Sequence, residues 1–208
     1  MSLWPADPAP RRLDPTQGPR AEIYRHFRGF SRPQFTLCGR IQVGLTGRER
    51  FGGMLWGVLA AANAVPELRQ RIVVRDGEER IEEHAQVHST CTIATEEGGF
   101  VFCPFPHNPD RAAFLDALTP SIQAAQARGT LMPQGPLPDN LLYLSTVPWV
   151  DLSGVEHAST GDPLDCVPRI VWGRVEGGSV GVCVTAHHAL VDGRHIGRFL
   201  QELERRVN

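Results

Sequence analysis

The chain has 208 residues, of which 41% are hydrophobic and 21% charged, and its formal net charge is −2. This composition predicts a globular domain with a sizeable core, and its 21 basic residues are too scattered for a nucleic-acid-binding protein. The longest apolar stretch, residues 54–65, is too short to cross a membrane. No apolar leader precedes a small-residue cleavage site near the N-terminus, so we expect a cytoplasmic protein.

The N-terminal residues 1–12 are predicted to form an extended arm, because the first fifteen residues contain four prolines and little periodic apolar pattern. Residues 13–208 are predicted to form a single domain. Within that domain, residues 35–43 alternate in polarity as a strand does, and residues 54–65 are predicted to be a buried helix that ends at Pro66.

A β-hairpin is predicted around the Asp76-Gly77 turn, with its strands in residues 71–74 and 80–94. Apolar residues then recur at helical spacing between Phe114 and Ile122, which predicts a helix despite the proline at position 120.

The C-terminal third is predicted to contain a strand over residues 140–148 and a second hairpin that turns at Gly177-Gly178. The last strand, residues 179–186, is followed by two histidines and by an amphipathic helix that begins near Gly193. Because hairpins and helices are mixed along the chain, we expect an α+β fold with a mostly antiparallel or mixed sheet and helices on one face.

The five cysteines are an odd number, lie far apart and never form a C-x-x-C pair. This spacing predicts neither a disulfide framework nor a zinc cluster. We expect most of these cysteines to be small buried residues in strands.

The segment HHALVDG, residues 187–193, brings together residues that can carry chemistry. His188 follows a strand and could act as a general base, since the pKa of histidine lies near neutrality. Asp192 could orient the histidine segment, or it could simply cap the next helix. A metal site including His195 is disfavoured, because the adjacent His187 and His188 point to opposite faces of a strand. We expect no metal.

Three segments in order resemble the chloramphenicol acetyltransferase family. They are R-A-E-I-Y-R-H-F at residues 20–27, P-Q-G followed by a strand ending in S-x-x-P-W at residues 133–149, and H-H-x-x-x-D-G-x-H at residues 187–195. The resemblance implies a two-layer α/β sandwich that assembles as a homotrimer, with active sites between neighbouring subunits. It also implies acetyl-CoA or another acyl-CoA as co-substrate and no bound cofactor.

The resemblance assigns roles to individual residues. His188 would be the general base that deprotonates the acceptor hydroxyl, and Ser145 would stabilise the oxyanion, although by itself Ser145 would be interpreted as an ordinary strand hydroxyl. Asp192 would pair with Arg20 to hold the histidine loop, and His187 would be structural.

The walls of the implied substrate pockets depart from the family pattern. A family tyrosine corresponds to Phe27, a threonine to Val171, a methionine to Trp172 and a lysine to Arg174. Phe100 or Phe102 is the candidate aromatic residue of the acceptor pocket. The reaction class is therefore better specified than the acceptor, because polar groups discriminate most sharply between acceptors.

The resemblance implies an acyltransferase that moves an acetyl group from acetyl-CoA to a hydroxyl of chloramphenicol or a similar small molecule. One alternative is a biosynthetic acyltransferase of the same fold that uses another alcohol or amine, with its acyl group carried on CoA or on a carrier protein. Another is a trimeric binding protein without catalysis, which would not need to keep both His188 and Ser145.

Overall fold

A computed structural model describes residues 3–208. These residues form nine β-strands and four α-helices. The strands are β1 (Arg11–Leu13), β2 (Gln34–Gln42), β3 (Gln70–Arg75), β4 (Glu78–Glu83), β5 (His88–Ala94), β6 (Phe100–Phe105), β7 (Leu141–Thr146), β8 (Arg169–Trp172) and β9 (Ser179–His187). The helices are α1 (Ala21–Arg28), α2 (Glu49–Asn63), α3 (Arg111–Ala127) and α4 (Gly193–Val207), and a short 3₁₀ helix spans Pro66–Arg69.

The main sheet has six strands in the order β2-β9-β8-β7-β5-β6. The β5–β7 and β7–β8 pairs are parallel, and the other pairs in this sheet are antiparallel. A smaller antiparallel sheet has the order β1-β4-β3. The expected α+β class, with a mixed sheet and helices packed against it, is confirmed.

Strand β9 is buried on both faces, which explains why its sequence is almost continuously apolar. Val180, Val182 and Val184 belong to the main core that the helices share, whereas Cys183 packs on the opposite face with Leu152. A strand covered on both sides has little freedom to slip in register. The residues that follow β9 therefore start from a fixed position.

The two predicted hairpin turns are confirmed. Asp76 and Gly77 have φ angles of 54° and 79°, and Gly177 and Gly178 have φ angles of 56° and 76°. Positive φ at both central residues is the geometry of the tight turn that matches strand twist, and it favours glycine and aspartate.

Two element predictions need correction. The predicted strand over residues 80–94 is wrong as one element, because the chain leaves the small sheet after β4 and enters the large sheet at β5. The predicted helix over residues 54–65 begins earlier, at Glu49. Its first turn carries Glu49, Arg50 and Phe51, so it lacks the buried apolar pattern that marks the rest of the helix.

The expectation that no disulfide forms is also wrong. Cys38 on β2 lies directly opposite Cys183 on β9, and the two are joined in a disulfide across 145 residues of sequence. The pairing depends on the register of two strands that are distant in the chain, which spacing along the sequence cannot reveal. Cys91, Cys103 and Cys166 are free and buried.

The predicted boundary between arm and domain falls inside β1, whose residues Arg11–Leu13 pair with β4. The last residues of the arm therefore belong to the small sheet.

In the part of the chain that the structure describes, residues 3–208, no helix is both long enough and apolar enough to cross a membrane.

Candidate active site

The turn after β9 gives the two adjacent histidines different surroundings. The His187 ring is 1% exposed; its Nδ1 accepts a hydrogen bond from the Ala189 amide, and its Nε2 lies 3.1 Å from the Pro163 carbonyl oxygen. Because Nδ1 accepts an amide and Nε2 faces a carbonyl, the ring donates through Nε2. Burial lowers the pKa of His187. Both nitrogens serve the backbone, and His187 can hold no substrate.

His188 is half-buried and held by two aromatic rings. Its imidazole stacks on Phe27 of α1, with centroids 3.8 Å apart, and on Phe35 of β2, with centroids 4.3 Å apart. Its amide donates to the Pro33 carbonyl at 2.8 Å. Nδ1 is buried with no hydrogen-bond partner among residues 3–208. Nε2 is therefore the nitrogen that can meet an incoming group.

Asp192 ties the histidine turn to two helices. Its Oδ2 accepts a hydrogen bond from Arg20 Nη1 at 2.6 Å, and its Oδ1 caps α4 by accepting the Arg194 amide at 3.0 Å. Burial alone would raise the pKa of Asp192, but the bond from Arg20 and the other positive groups lower it below the usual value. Orientation and capping, which the sequence left as alternatives, occur together.

His195 completes this arrangement at the start of α4. The Asp192 amide donates to His195 Nδ1 at 3.0 Å, which forms a capping box, and His195 Nε2 lies 3.5 Å from Glu67 Oε1. Burial lowers the pKa of His195, although the Glu67 and Asp192 carboxylates oppose this effect. The third histidine of the motif is a structural link between α4 and the short 3₁₀ helix.

Ser145 lies on β7, on the face of the sheet opposite the helices. Its Oγ is 2.9 Å from Thr92 Oγ1 on β5. Across the sheet it pairs with Val171 on β8, which pairs with Cys183 on β9. Paired residues on neighbouring strands share a face, so this hydroxyl pair and the disulfide lie on one row.

Ser145 and His188 do not meet within one chain. Ser145 is in register with Cys183, and His187 lies four residue positions further along β9 than Cys183. At about 3.3 Å per residue this is roughly 13 Å along the strand, with two strand spacings of about 4.8 Å across it. One small acceptor cannot contact both side chains of the same chain.

The comparisons with known proteins agree with the motif geometry. The sequence model of the family described as chloramphenicol acetyltransferase matches residues 14–204. The chain belongs to the chloramphenicol acetyltransferase family. It is an acyltransferase.

Individual family members resemble the chain over most of its length. Chloramphenicol acetyltransferase 2 of Escherichia coli is 29% identical over 76% of this chain and 75% of that protein. A chloramphenicol acetyltransferase of Streptomyces acrimycini is 24% identical over 95% of this chain and 94% of that protein. A solved chloramphenicol acetyltransferase structure superimposes with a TM-score of 0.77 at 24% identity, covering 96% of this chain and all of that one.

In this chain, the predicted pocket residues lie on different surfaces of the main sheet. Val171 lies on the Ser145 face and packs with Leu152, whereas Trp172 packs in the main core on the helix face. Phe100 is exposed near the edge of the sheet and touches Phe102, which lies on the row of Thr92. The predicted wall residues therefore belong to at least two surfaces.

Trp172 and Arg174 line a cavity of about 370 Å³ at the end of β8, together with Thr146 of β7. Arg48 and Arg50, just before and within α2, also line it. Arg174 is exposed and pairs with Glu176 at 2.9 Å. The cavity has an apolar floor and a rim with three guanidinium groups, which suits a ligand that has phosphate groups and an uncharged arm.

Sequence reasoning missed the group that fixes α1. Glu79 of β4 accepts two hydrogen bonds from Arg28 Nε, one from Arg28 Nη2 and one from the Tyr24 hydroxyl at 2.5 Å. Burial and the Glu79 carboxylate raise the pKa of Tyr24. α1 also carries Phe27, so this cluster positions the ring that stacks on His188. Glu79 follows a turn in the sequence and carries no local signal of this role.

The role of His195 had a signal that could have been used. An N-cap aspartate followed three residues later by a side chain that can accept a hydrogen bond is the pattern of a capping box. Asp192 and His195 have this spacing.

Among residues 3–208, no group of three or more His, Cys, Asp or Glu side chains is arranged to hold a metal ion.

Proposed function

We propose that the protein transfers the acetyl group of acetyl-CoA to a hydroxyl of chloramphenicol or a similar small molecule. The observation that carries this proposal is the position of His188 in a chain of this family. The imidazole is clamped between Phe27 and Phe35 and keeps one nitrogen for a substrate. An imidazole that is fixed at a strand end suits proton abstraction from a hydroxyl.

The reaction follows from the two polar groups. His188 Nε2 takes the proton of the acceptor hydroxyl while its oxygen attacks the thioester carbonyl carbon of acetyl-CoA. The resulting oxyanion accepts a hydrogen bond from the Ser145 hydroxyl, which can donate because Thr92, 2.9 Å away, can donate to Ser145 in turn. The carbon–sulfur bond then breaks, and the CoA thiolate takes the proton from His188. The products are an acetyl ester and free CoA.

A homotrimer is part of this proposal, because His188 and Ser145 are distant in one chain. An exposed phenylalanine lies near His188, and another lies near Ser145. Phe30, 44% exposed, lies beside Phe27, and Phe100, 52% exposed, lies beside Phe102 on the Thr92 row. Covering these surfaces with a second copy would bring the base of one subunit to the hydroxyl of another. The number of three subunits comes from the family resemblance.

Acetyl-CoA would use the cavity that Trp172 lines. The three arginines on its rim, Arg48, Arg50 and Arg174, would bind the phosphates. The uncharged pantetheine arm would then pass around the end of β7, from Thr146 on the helix face to Ser145 on the opposite face. Acetyl-CoA is a co-substrate here and no resident cofactor is needed. A cytoplasmic location suits this donor.

A different acceptor is the second candidate, and two wall residues favour it. Phe27 and Val171 replace a tyrosine and a threonine of the family pattern, so two hydroxyls of the expected acceptor pocket are missing. A biosynthetic acyltransferase for a less polar alcohol or for an amine, with its acyl group on CoA or a carrier protein, would fit these changes. A binding protein without catalysis would have no need of the His188 stack and the Ser145–Thr92 pair.

The test is release of free thiol from acetyl-CoA in the presence of chloramphenicol. We expect His188→Ala to reduce kcat by about 10³-fold or more and Ser145→Ala by about 10²-fold. Ser121→Ala, which removes an exposed helix hydroxyl, is the matched control and should act like the wild type. Thiol release only with other alcohols or amines would favour the second candidate. No release with any acceptor, despite acetyl-CoA binding, would contradict transfer from this donor.

The assembly has its own test. Light scattering should give three times the 22.9 kDa mass of one chain. Mixing inactive His188→Ala and Ser145→Ala subunits by reversible dissociation should restore part of the activity, because some interfaces then combine an intact histidine with an intact serine. Failure of mixed trimers to regain activity would contradict a site shared between subunits.

A further inference from the structure

The N-terminal arm makes a partly buried contact with the domain body through Asp7. Asp7 lies seven residues before position 14, where the family match starts. Its Oδ1 accepts a hydrogen bond from Gln86 Nε2, and its Oδ2 lies 2.8 Å from His88 Nε2 and 2.7 Å from Asn140 Nδ2. Three side chains from two segments of the domain body thus surround one carboxylate.

Two of the three donors, those of His88 and Asn140, also bond to the domain body. The His107 amide donates to His88 Nδ1 at 2.8 Å, so Nε2 is the ring nitrogen that donates to Asp7. Asn140 Nδ2 also donates to the Gln86 carbonyl, and the Asn140 carbonyl accepts the His88 amide at 2.9 Å. His88 is 0% exposed and Asn140 4% exposed. The body contacts of His88 and Asn140 therefore orient these two donors independently of Asp7.

The chemistry of the donor set selects a carboxylate. An imidazole and two amides supply N–H groups to two oxygens about as far apart as those of a carboxylate. Burial would raise the pKa of Asp7, but the bonds from Gln86, His88 and Asn140 lower it, so the group is ionised. Removing the carboxylate would leave buried donors unpaired, which is costly.

A partly polar cavity lies next to His88 of this cluster, since its lining includes Trp4, which stacks on His88, and His107, whose amide donates to His88. Leu3, Trp4 and Pro5 of the arm line a space of about 480 Å³ together with Phe105 and Phe114. The Trp4 ring is stacked on the His88 ring at a centroid distance of 6.0 Å. The arm therefore brings an aromatic group and a carboxylate to neighbouring parts of one surface.

We propose that Gln86, His88 and Asn140 form a preformed carboxylate-binding site, separate from the acyl-transfer site, and that the arm is its built-in ligand. The site takes a carboxylate attached to an apolar or aromatic group. The site adjoins the start of β5 and β7, so its occupation also secures the strands that carry Thr92 and Ser145.

Chemical rescue tests the site in the full-length protein. Asp7→Ala should lower Tm by about 5 °C or more, because buried donors lose their acceptor. Sodium acetate, exchanged for sodium chloride at constant ionic strength, should restore Tm with saturation. Asp14→Ala is the matched control, since Asp14 also accepts several side-chain and backbone bonds but at an exposed position. An equal acetate effect in both variants would overturn the proposal.

Two further experiments distinguish binding of a free carboxylate from binding of the N-terminal arm. A peptide of residues 3–13 should bind the Asp7→Ala protein. The same peptide with Asp7→Asn should bind at least about tenfold more weakly, since a charge-assisted hydrogen bond is lost. Adding Gln86→Ala to Asp7→Ala should weaken the acetate effect, because one donor is gone. Equal binding of both peptides would contradict carboxylate recognition, even if Asp7→Ala proved too unstable for the acetate series.

Discussion

The Phe27 ring and the His188 imidazole lie face to face, with centroids 3.8 Å apart and planes 8° from parallel. Phe35 packs on the same imidazole at 4.3 Å. This contact fixes the plane of the proposed base before any substrate arrives, and fixed geometry accounts for much of what a positioned base contributes. The helix that carries Phe27 is in turn held by Glu79 through Arg28 and Tyr24.

Replacing the Phe27 ring with a smaller side chain should reduce catalysis more than it reduces stability. We expect Phe27→Leu to lower kcat about tenfold, because the imidazole gains rotational freedom, while thermal unfolding changes little. The control is Phe30→Leu, whose ring neighbours Phe27 without touching His188. Leucine keeps an apolar side chain at this exposed position of the proposed subunit contact. Steady-state kinetics on the acceptor found in the thiol-release assay check this. Equal kcat in both variants would contradict a positioning role for Phe27.

The Arg20–Asp192 pair should stabilise the whole domain. Their side chains are 26% and 24% exposed and joined at 2.6 Å. We expect Asp192→Ala to lower the free energy of unfolding by about 2–4 kcal/mol, which combines a partly screened ion pair with a lost helix cap. Arg20→Ala should cost less, because the cap remains. A double-mutant cycle with both changes measures the coupling, and additive effects would mean that the pair contributes nothing.

Acid should weaken this pair in a defined direction. The folded-state pKa of Asp192 is lowered, so its stabilisation is complete above its unfolded value of about 3.8 and is lost as the pH falls through the folded pKa. The difference in unfolding free energy between wild type and Asp192→Asn should therefore shrink below about pH 4. Asp116→Asn, at an exposed site on α3, is the control. A difference that stays constant with pH would contradict the assigned linkage.

Features that depend on neighbouring residues in the sequence were predictable. The Asp76-Gly77 turn, the helix after Asp192 and the strand before His187 each follow from the residues that form them. Features that depend on register were not predictable. The polarity pattern of residues 80–94 runs without a break from β4 to β5, so it does not show where the chain changes sheets. The contacts of Glu79 with α1 and of Asp7 with His88 join segments 51 and 81 residues apart.

The Cys38–Cys183 disulfide gives a direct chemical prediction. After unfolding without reductant, the protein should show three free thiols of its five cysteines, and reduction should expose the other two. We expect Cys38→Ser to lower the free energy of unfolding by about 2–5 kcal/mol, because the bond closes a long loop. Reductant should weaken the wild type and leave Cys38→Ser unchanged.

Cys91→Ala is the matched control for this comparison, because Cys91 is buried but free. Its stability should fall by an amount set by lost packing, and reductant should lower it further, as in the wild type. Five reactive thiols in the unreduced unfolded protein would contradict the disulfide.

Gly181, the single glycine of β9, should not tolerate a side chain. A Cβ built there would lie 2.0 Å from the Leu152 carbonyl oxygen, which is backbone and cannot rotate away. We expect Gly181→Ala to cost about 3 kcal/mol or more and to push the segment around Leu152 off the face that holds Val171 and Ser145. Gly197→Ala in α4 is the control, since a Cβ there meets nothing within 4 Å. It should stabilise the helix by about 0.5–1 kcal/mol. Denaturant titration of both variants checks the prediction, and a small effect at Gly181 would mean that the Leu152 segment does not pack on β9.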